Sequence, residues 1–539
     1  MGFYLNNTKA AELYRNEKKK PYFVDKTRLL TELIPLVSEG TAYVAITRPR
    51  RFGKTVMANM VGAYFCKADQ SSDIFDSLAI AEHECYREHL NQHNVIYIDF
   101  SKCADNCACY SDYIMDIQEI LRDDLHEAFP NVRFRAKGSV QEDLDRIFSS
   151  TREKFIFVLD EWDSVFHKDF ITEEDRKSYI GFLANLLKDQ AYVSLAYMTG
   201  ILPIAKYSDS STLNNFDEYT MATDDVYSEY FGFTDLEVDD LYGRFLNRES
   251  NPKVSRKDLE YWYDGYHTPK NEKMYNPRSV VYALRRNMVR NYWTATGSYA
   301  AVSDYISGNV DGIKKDIATL VSGESVDINI QETAAINMSL STRDEILSAM
   351  VVYGLLNYES ESKTVRIPNK ELMDEFAKVI MEDESMGYYH ELSLASKKIL
   401  EATLSGDADS VAAALTKVHN ISPIKAYNSE AELSLVVFFA YLSAIDQYEM
   451  KREEQGGKGY VDYIFHPRNL VDDGMIVELK MDKTPEEAIQ QIKDRRYIRA
   501  FHGLPGEKGW HGKRVLAVGI TYDSKNGDHH CKIEELSFA

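Results

Sequence analysis

Four short runs of nearly unbroken apolar residues mark the first two hundred positions. They are YVAIT at Tyr43–Thr47, VIYIDF at Val95–Phe100, KFIFVLDE at Lys154–Glu161 and YVSLAYMTG at Tyr192–Gly200. Helix-like segments separate them, at Thr55–Phe65, Tyr113–Ala128 and Glu173–Asp189. A strand that is apolar on both faces must be covered on both faces, and strands alternating with helices build a parallel sheet. Chemistry in such a sheet collects beyond the C-terminal strand ends. Residues 299–422 read differently, with amphipathic helices predicted at Thr342–Tyr353, Lys370–Met381 and Ser393–Leu404, and a short hairpin within Tyr353–Asn369. The last hundred residues return to strands, at Gly459–Phe465, Met475–Met481 and Val515–Asp523. A helix opens between the last two at Thr484-Pro485-Glu486-Glu487, a capping box with proline at the first helical position. The expected class is α/β. Residues 1–235 form a parallel-sheet core, 236–422 a helical lid and bridging region, and 423–539 a second α/β domain.

Composition agrees and narrows the field. A chain of 539 residues holds roughly three or four domains. With 44% hydrophobic and 27% charged residues it is globular rather than disordered. The net charge of −22 excludes a protein that coats nucleic acid by bulk charge, though it leaves room for a local basic groove. The first twenty residues lack the apolar core of a signal peptide. The apolar run around Leu433–Ile445 is broken by serines and too short to span a bilayer. A cytoplasmic chain with no membrane partner is expected. Cys103, Cys107 and Cys109 cluster as a metal site might, but no matching CxxC or histidine pair lies nearby, so ordinary thiols are the better reading.

Two of the strand ends carry candidate chemistry. After YVAIT come Arg48-Pro49-Arg50-Arg51-Phe52-Gly53-Lys54-Thr55. Gly53-Lys54-Thr55 suits a phosphate-binding loop, in which backbone N–H groups and a helix N-terminus cradle phosphate oxygens. Lys54 would reach the β- and γ-phosphates of ATP, and the Thr55 hydroxyl would ligate Mg²⁺. Arg48 stands where the motif has its first glycine, so the loop alone is degenerate. The third strand supplies a partner, Asp160-Glu161, with Asp160 to hold Mg²⁺ and Glu161 to polarise the attacking water. Thr199, ending the fourth strand, is either a γ-phosphate sensor or a plain strand-end threonine.

These residues resemble the AAA-ATPase-like family, in which an Arg-Pro-Arg-Arg-Phe-Gly-Lys stretch replaces the glycine-rich start of the phosphate loop. The likeness extends to YFVDKTRLLTELI at Tyr22–Ile34, VLDEWDSVF at Val158–Phe166, MTGILPIAKYSDSSTLNNF at Met198–Phe216 and WYDGY at Trp262–Tyr266. It continues through YNPRSVV at Tyr275–Val281 and YWTATGS at Tyr292–Ser298. Trp162 stands where the family has tyrosine, and Pro203 interrupts a segment usually free of it. The resemblance implies a P-loop NTPase core with a helical lid, and an ATP site to which Arg50, Arg51 and Gly53 belong with Lys54 and Thr55.

The C-terminal strands suggest a second site. Along Met475–Met481, Ile476, Glu478 and Lys480 share one face. If this strand pairs with Gly459–Phe465 as a hairpin, Asp462 faces Glu478. Two carboxylates beside a lysine make a Mg²⁺ site next to a charged amine, with Lys480 to orient or deprotonate water and stabilise phosphorane charge. Lys493, Arg495, Arg496 and Tyr497 follow, a basic patch with an aromatic that suits a phosphate backbone. Surface strands often alternate acids and lysines, so this spacing alone is weak. GYVDYIFHP, IVELK, EEAIQQIKDRRY and VLAVGITYDSK are, however, similar to the PD-(D/E)XK nuclease family. That resemblance implies a restriction-endonuclease-like α/β fold over about 428–523, with Asp462, Glu478 and Lys480 as the motif residues and Gln491 and Tyr497 on the following helix. It also implies a metal-binding helical glutamate upstream, Glu430 with Glu432 as the alternative. Tyr460 replaces the small or basic residue expected before Asp462.

The leading expectation is an ATP-regulated nuclease that uses Mg²⁺, with Mn²⁺ an alternative at the cutting site. Its partner would be nucleic acid, DNA by preference, in defence against mobile DNA or phage. The competing expectation is an ATP-dependent switch or scaffold whose nuclease-like domain binds nucleic acid or a partner without cutting. Homo-oligomerisation is compatible with either.

Overall fold

The computed structural model describes residues 2–39, 42–68, 70–102, 107–204, 213–221, 224–270, 272–293, 306–330, 340–421, 430–456, 459–469, 472–501 and 514–536. They divide into two units. One comprises residues 1–305 and 326–372, the other 306–325 and 373–539.

In the first unit the apolar runs become strands β1 (Ala42–Thr47), β2 (Asn94–Asp99), β3 (Phe155–Asp160) and β4 (Val193–Gly200). A fifth, β5 (Asp217–Thr220), is a polar edge strand that hydropathy does not mark. All pair in parallel, in the order β2-β3-β4-β1-β5. β3 and β4 are buried along their whole length, which explains why neither alternates polar and apolar residues. The register places Asp99 beside Asp160, Leu159 beside Met198 and Ile46 beside Thr199, so polar strand ends gather at one edge. Apolar clusters pack on the two faces, one around Phe157 and Leu183, the other around Val158 and Met60. Helix Lys54–Phe65, which links β1 to β2, is buried over most of its length.

The lid helices Asp235–Leu246, Arg256–Tyr263 and Pro277–Arg286 share a core centred on Val238, Leu259 and Val280. Beside them lies a small sheet of β6 (Phe233–Thr234), β7 (Tyr266–His267) and β8 (Lys273–Tyr275). Ser255 and Thr234 cap two of these helices with full capping boxes, and Asn276 caps the third ahead of Pro277. Another small sheet joins β9 (Val326–Asp327) to the hairpin β10 (Asn357–Glu359) and β11 (Thr364–Arg366), so the hairpin expected within Tyr353–Asn369 is present.

The second unit is built on a mixed sheet of β12 (Tyr448–Gly456), β13 (Gly459–Pro467), β14 (Gly474–Met481), β15 (Val515–Asp523) and β16 (Asp528–Leu536), in chain order. β14 and β15 are parallel and every other pairing is antiparallel. Helix Pro485–Asp494 forms the crossover between the parallel pair and buries Ala488, Ile489 and Ile492. Gly519 on β15 is where this helix comes closest, since a Cβ there would stand 2.6 Å from the Pro485 carbonyl oxygen. Among the described residues no helix is long and apolar enough to cross a membrane.

Candidate functional site

The loop after β1 turns through two left-handed residues, Arg51 (φ +73°) and Gly53 (φ +93°), before helix Lys54–Phe65 begins. Glycine suits the second turn, whereas Arg51 holds a conformation that a side chain disfavours, as residues at ligand-binding loops often do. Lys54 is buried, and its Nζ donates to the carbonyl oxygens of Arg48 at 2.9 Å and Pro49 at 3.0 Å. Burial lowers its pKa while Glu161, Asp163 and Asp160 oppose that shift. Arg48, at the position of the missing motif glycine, is also buried. Its guanidinium donates to the Thr47 and Tyr219 carbonyls at 2.9 Å and lies over the Phe231 ring. It therefore ties the loop to the edge strand and belongs to the scaffold.

The acidic partners sit at the end of β3. Asp160 is fully buried. Its Oδ1 accepts from Thr199 Oγ1 at 2.6 Å, while Oδ2 has no partner among the described residues. Burial pushes its carboxyl up to about 6, with the Thr199 hydrogen bond and the nearby Thr55 hydroxyl pulling the other way. Glu161 follows in a left-handed conformation (φ +54°), its pKa raised by burial and pulled back by Lys54. Asp163 braces the segment by accepting from the backbone N–H groups of Ile201 and Leu202. Gly200 must be glycine, because a Cβ there would meet the Trp162 indole at 2.3 Å. A cavity of about 420 Å³ lies beside the loop, walled by Arg51, Gly53, Lys54, Thr55 and Glu161 and, from the lid helix, Arg278, Tyr282 and Arg285. Arg50 does not line it, although its charge acts on Glu161 and Lys54.

Arg51 is held by the chain at Tyr292 and Trp293, where its guanidinium donates to both carbonyls. The N–H groups of the same two residues donate to Glu371 Oε1, that of Trp293 at 2.6 Å. Ser279 on the lid helix donates to Glu371 at 2.8 Å. Glu371 is buried, and burial pushes its carboxyl up to about 7.

In the second unit the β13–β14 register, Tyr463 opposite Val477, brings Asp462 across from Glu478. Asp462 Oδ2 accepts from the Leu479 N–H at 2.7 Å. Glu478 is 2% exposed. Its Oε1 accepts from Lys480 Nζ at 2.8 Å and from the Gln491 amide, while Oε2 has no partner among the described residues. Burial, followed by the Asp462 charge, pushes Glu478 up to about 7, and Lys480 opposes the shift. Tyr497 donates its hydroxyl to the Tyr460 carbonyl. Asp462, Glu478, Lys480 and Gln491 thus converge. A buried carboxylate oxygen without a hydrogen bond, beside a second carboxylate, fits a divalent cation. The same test is met at Asp160, next to the Thr55 hydroxyl.

Two expectations fall elsewhere. The Glu430 side chain lies outside the described residues, although the helix Glu430–Ala440 begins there. The alternative, Glu432, pairs with Lys315 at 3.3 Å. Of the cysteine cluster, Cys107 and Cys109 are free thiols and Cys103 lies outside the described residues. Among the described residues no three His, Cys, Asp or Glu side chains gather into a metal-binding group.

Residues 13–209 match the family described as a predicted AAA-ATPase, and residues 432–530 match the PD-(D/E)XK nuclease superfamily. The chain joins an AAA-ATPase-like domain to a PD-(D/E)XK nuclease-superfamily domain. Among solved structures it is similar to a Walker-type ATPase of Pyrococcus abyssi, at 12% identity over 65% of this chain and 94% of that one, with a TM-score of 0.34. It is also similar to the ORC2 protein of Aeropyrum pernix in ADPNP-ADP complexes, at 12% identity over 70% of this chain and 93% of that one, with a TM-score of 0.29. No curated protein matches the chain.

In the first unit, motif spacing missed Glu371 and the cavity-facing Arg278, Tyr282 and Arg285. Arg278 falls within the YNPRSVV segment, Tyr282 adjoins it and Arg285 lies one helical turn beyond its end. Glu371 had no such signal, because it meets Tyr292 across 79 residues of chain.

Proposed function

We propose that the protein hydrolyses ATP in its AAA-ATPase-like domain and cuts nucleic acid, DNA first, in its nuclease-like domain, and that the ATP state controls the cutting. The convergence of Asp462, Glu478, Lys480 and Gln491, with Glu478 Oε2 left unbonded, carries this reading. At the ATP site Lys54 would neutralise phosphate charge, and Arg50 and Arg51 would add to the positive field at the loop mouth. Thr55 and Asp160 would hold Mg²⁺, which supplies charge neutralisation on the phosphate oxygens. Thr199 keeps Asp160 oriented by occupying one of its oxygens. Glu161 would take the proton of the attacking water, its raised pKa bringing it nearer neutrality.

At the second site Asp462 and Glu478 would hold Mg²⁺ or Mn²⁺, which supplies a Lewis acid against the phosphate. Lys480 would orient the water and balance charge on the phosphate as it develops. Gln491 fixes Glu478, the more deeply buried of the two acids. Lys493, Arg495 and Arg496 would lie along the phosphate strand.

The test is cleavage by the purified full chain with Mg²⁺ or Mn²⁺, with and without ATP, on single- and double-stranded DNA and on RNA. Metal-dependent cutting that changes with ATP is expected. Cutting that persists undiminished in Lys480→Ala overturns the site assignment, and binding without cutting transfers support to a switch.

A further inference from the structure

We infer that the nuclease-like site takes a strand with unpaired bases, one base stacking on Tyr460 while Arg495, Arg496 and Arg499 hold its phosphates. This rests on the proposed cutting site and names its substrate class.

Tyr460 is 67% exposed, the most exposed large aromatic side chain among the described residues. It lies two residues before Asp462 on β13, so the two side chains leave the strand on the same face. Its main chain is fixed on both sides. The Tyr497 hydroxyl bonds the Tyr460 carbonyl, and Gln455 on β12 lies opposite in the ladder. A ring held out to water on a fixed backbone beside two carboxylates adds nothing to the core. It is, however, pre-positioned for a flat apolar partner.

The arginines point the same way. Elsewhere in this unit Arg514 pairs with Asp473 at 2.9 Å, and Arg452 pairs with Glu324. Arg495, Arg496 and Arg499, exposed within five residues of one another, make no ion pair among the described residues. Nearby carboxylates are already engaged: Glu534 with Lys493, and Asp494 with the Gln490 amide at 2.7 Å. In a chain of net charge −22, three guanidinium groups with no carboxylate partner among the described residues, one of them, Arg495, against the Tyr497 hydroxyl, form a local anion-binding strip.

Arginines bind the phosphates of single and double strands alike. The ring distinguishes them, because base faces inside a duplex are covered by neighbouring bases and only an unpaired base offers a face for stacking. Stacking of this kind is sequence-tolerant and worth roughly tenfold or more per base.

The experiment measures binding by the full chain carrying Lys480→Ala, which keeps substrates intact, to a fluorescent single-stranded DNA, the same sequence as single-stranded RNA, and the matching duplex. Tighter binding of the single strands is expected. Tyr460→Ala should weaken single-strand binding about tenfold and leave duplex binding unchanged, and Tyr460→Trp should restore it. Arg499→Ala should weaken single strand and duplex to the same degree. Single-strand binding that is unchanged in Tyr460→Ala, or duplex bound as tightly as single strand, overturns the inference and leaves the cutting site standing. If the wild-type chain neither binds nor cuts any of the three, both readings fall together.

Discussion

Asp160 and Glu478 solve one problem with different neighbours. Each is a buried acid near the C-terminal end of a strand, each has one bonded oxygen, and each has a second oxygen without a partner. Asp160 leans on hydroxyls, Thr199 and Thr55, inside an all-parallel sheet. Glu478 leans on a charged amine, Lys480, and an amide, Gln491, in a mixed sheet. Neutral partners orient an acid without cancelling its charge, so on the proposed function an arriving cation would join Lys54 in compensating Asp160. The Lys480–Glu478 pair is already compensated, so a cation and a substrate phosphate must redistribute that charge when they bind. On the proposed function, the first arrangement would favour a resident metal with its nucleotide and the second an active state assembled only on substrate.

The largest expected effects separate the two sites outright. Glu161→Gln should lower ATP turnover by about a hundredfold or more, with metal-driven cutting in the absence of ATP unchanged; Lys480→Ala should do the reverse. Steady-state ATPase and oligonucleotide-cleavage assays on both variants check this, and a loss of both activities from either change would break the contrast.

Next come the supporting side chains. Thr199→Val leaves Asp160 Oδ1 buried without its donor, which should cost about 1–3 kcal/mol in stability and weaken Mg²⁺-dependent nucleotide binding about tenfold. Gln491→Ala spares the Lys480–Glu478 pair, so a smaller loss is expected, read as raised metal demand in the cleavage assay. Should Gln491→Ala prove as costly as Lys480→Ala, the amide rather than the amine governs Glu478.

A subtler effect concerns Glu371. Its carboxyl titrates near 4.5 when unfolded and near 7 when folded. Between those values the folded state holds the proton more tightly. Its contribution to stability is therefore complete below the lower value and is lost as pH rises through the upper one. The difference amounts to about 3 kcal/mol. Urea midpoints at pH 5 and pH 8 should differ less in Glu371→Gln than in the wild-type chain. The smallest effect is expected at the surface pair Arg15–Asp73, where Asp73→Asn should cost under about 1 kcal/mol by the same titration.

The sequence was most legible where burial is uniform. β1 to β4 are apolar runs, and their ends lie within a residue or two of expectation. The two- and three-residue strands β6 to β9 are too short to show a period, and in the two five-stranded sheets the strands that escaped notice, β5, β12 and β16, are edge strands rich in charge, such as DEYT and DHHCKIEEL. Their ladders are satisfied on one side only and their polar residues face water, so no hydrophobic period reveals them. The site followed the same logic. Lys54, Thr55, Asp160, Glu478 and Lys480 lie on short motifs, whereas the Glu371 contact with Tyr292 and Trp293 closes a long loop and leaves no local trace. Arg48 stood out only as the residue in place of the first motif glycine, and its burial and its bond to the Tyr219 carbonyl of β5 explain what it does there.

The second unit takes residues 306–325 from the middle of the chain, where they supply Lys315 to Glu432 and Glu324 to Arg452. Translation therefore delivers part of the second unit before the last stretch of the first, 326–372, has left the ribosome. Neither unit is a contiguous cassette. A gene cut at residue 422 would yield a C-terminal fragment whose Glu432 and Arg452 have lost their partners, whereas one that fuses 306–325 back onto 373–539 would keep them.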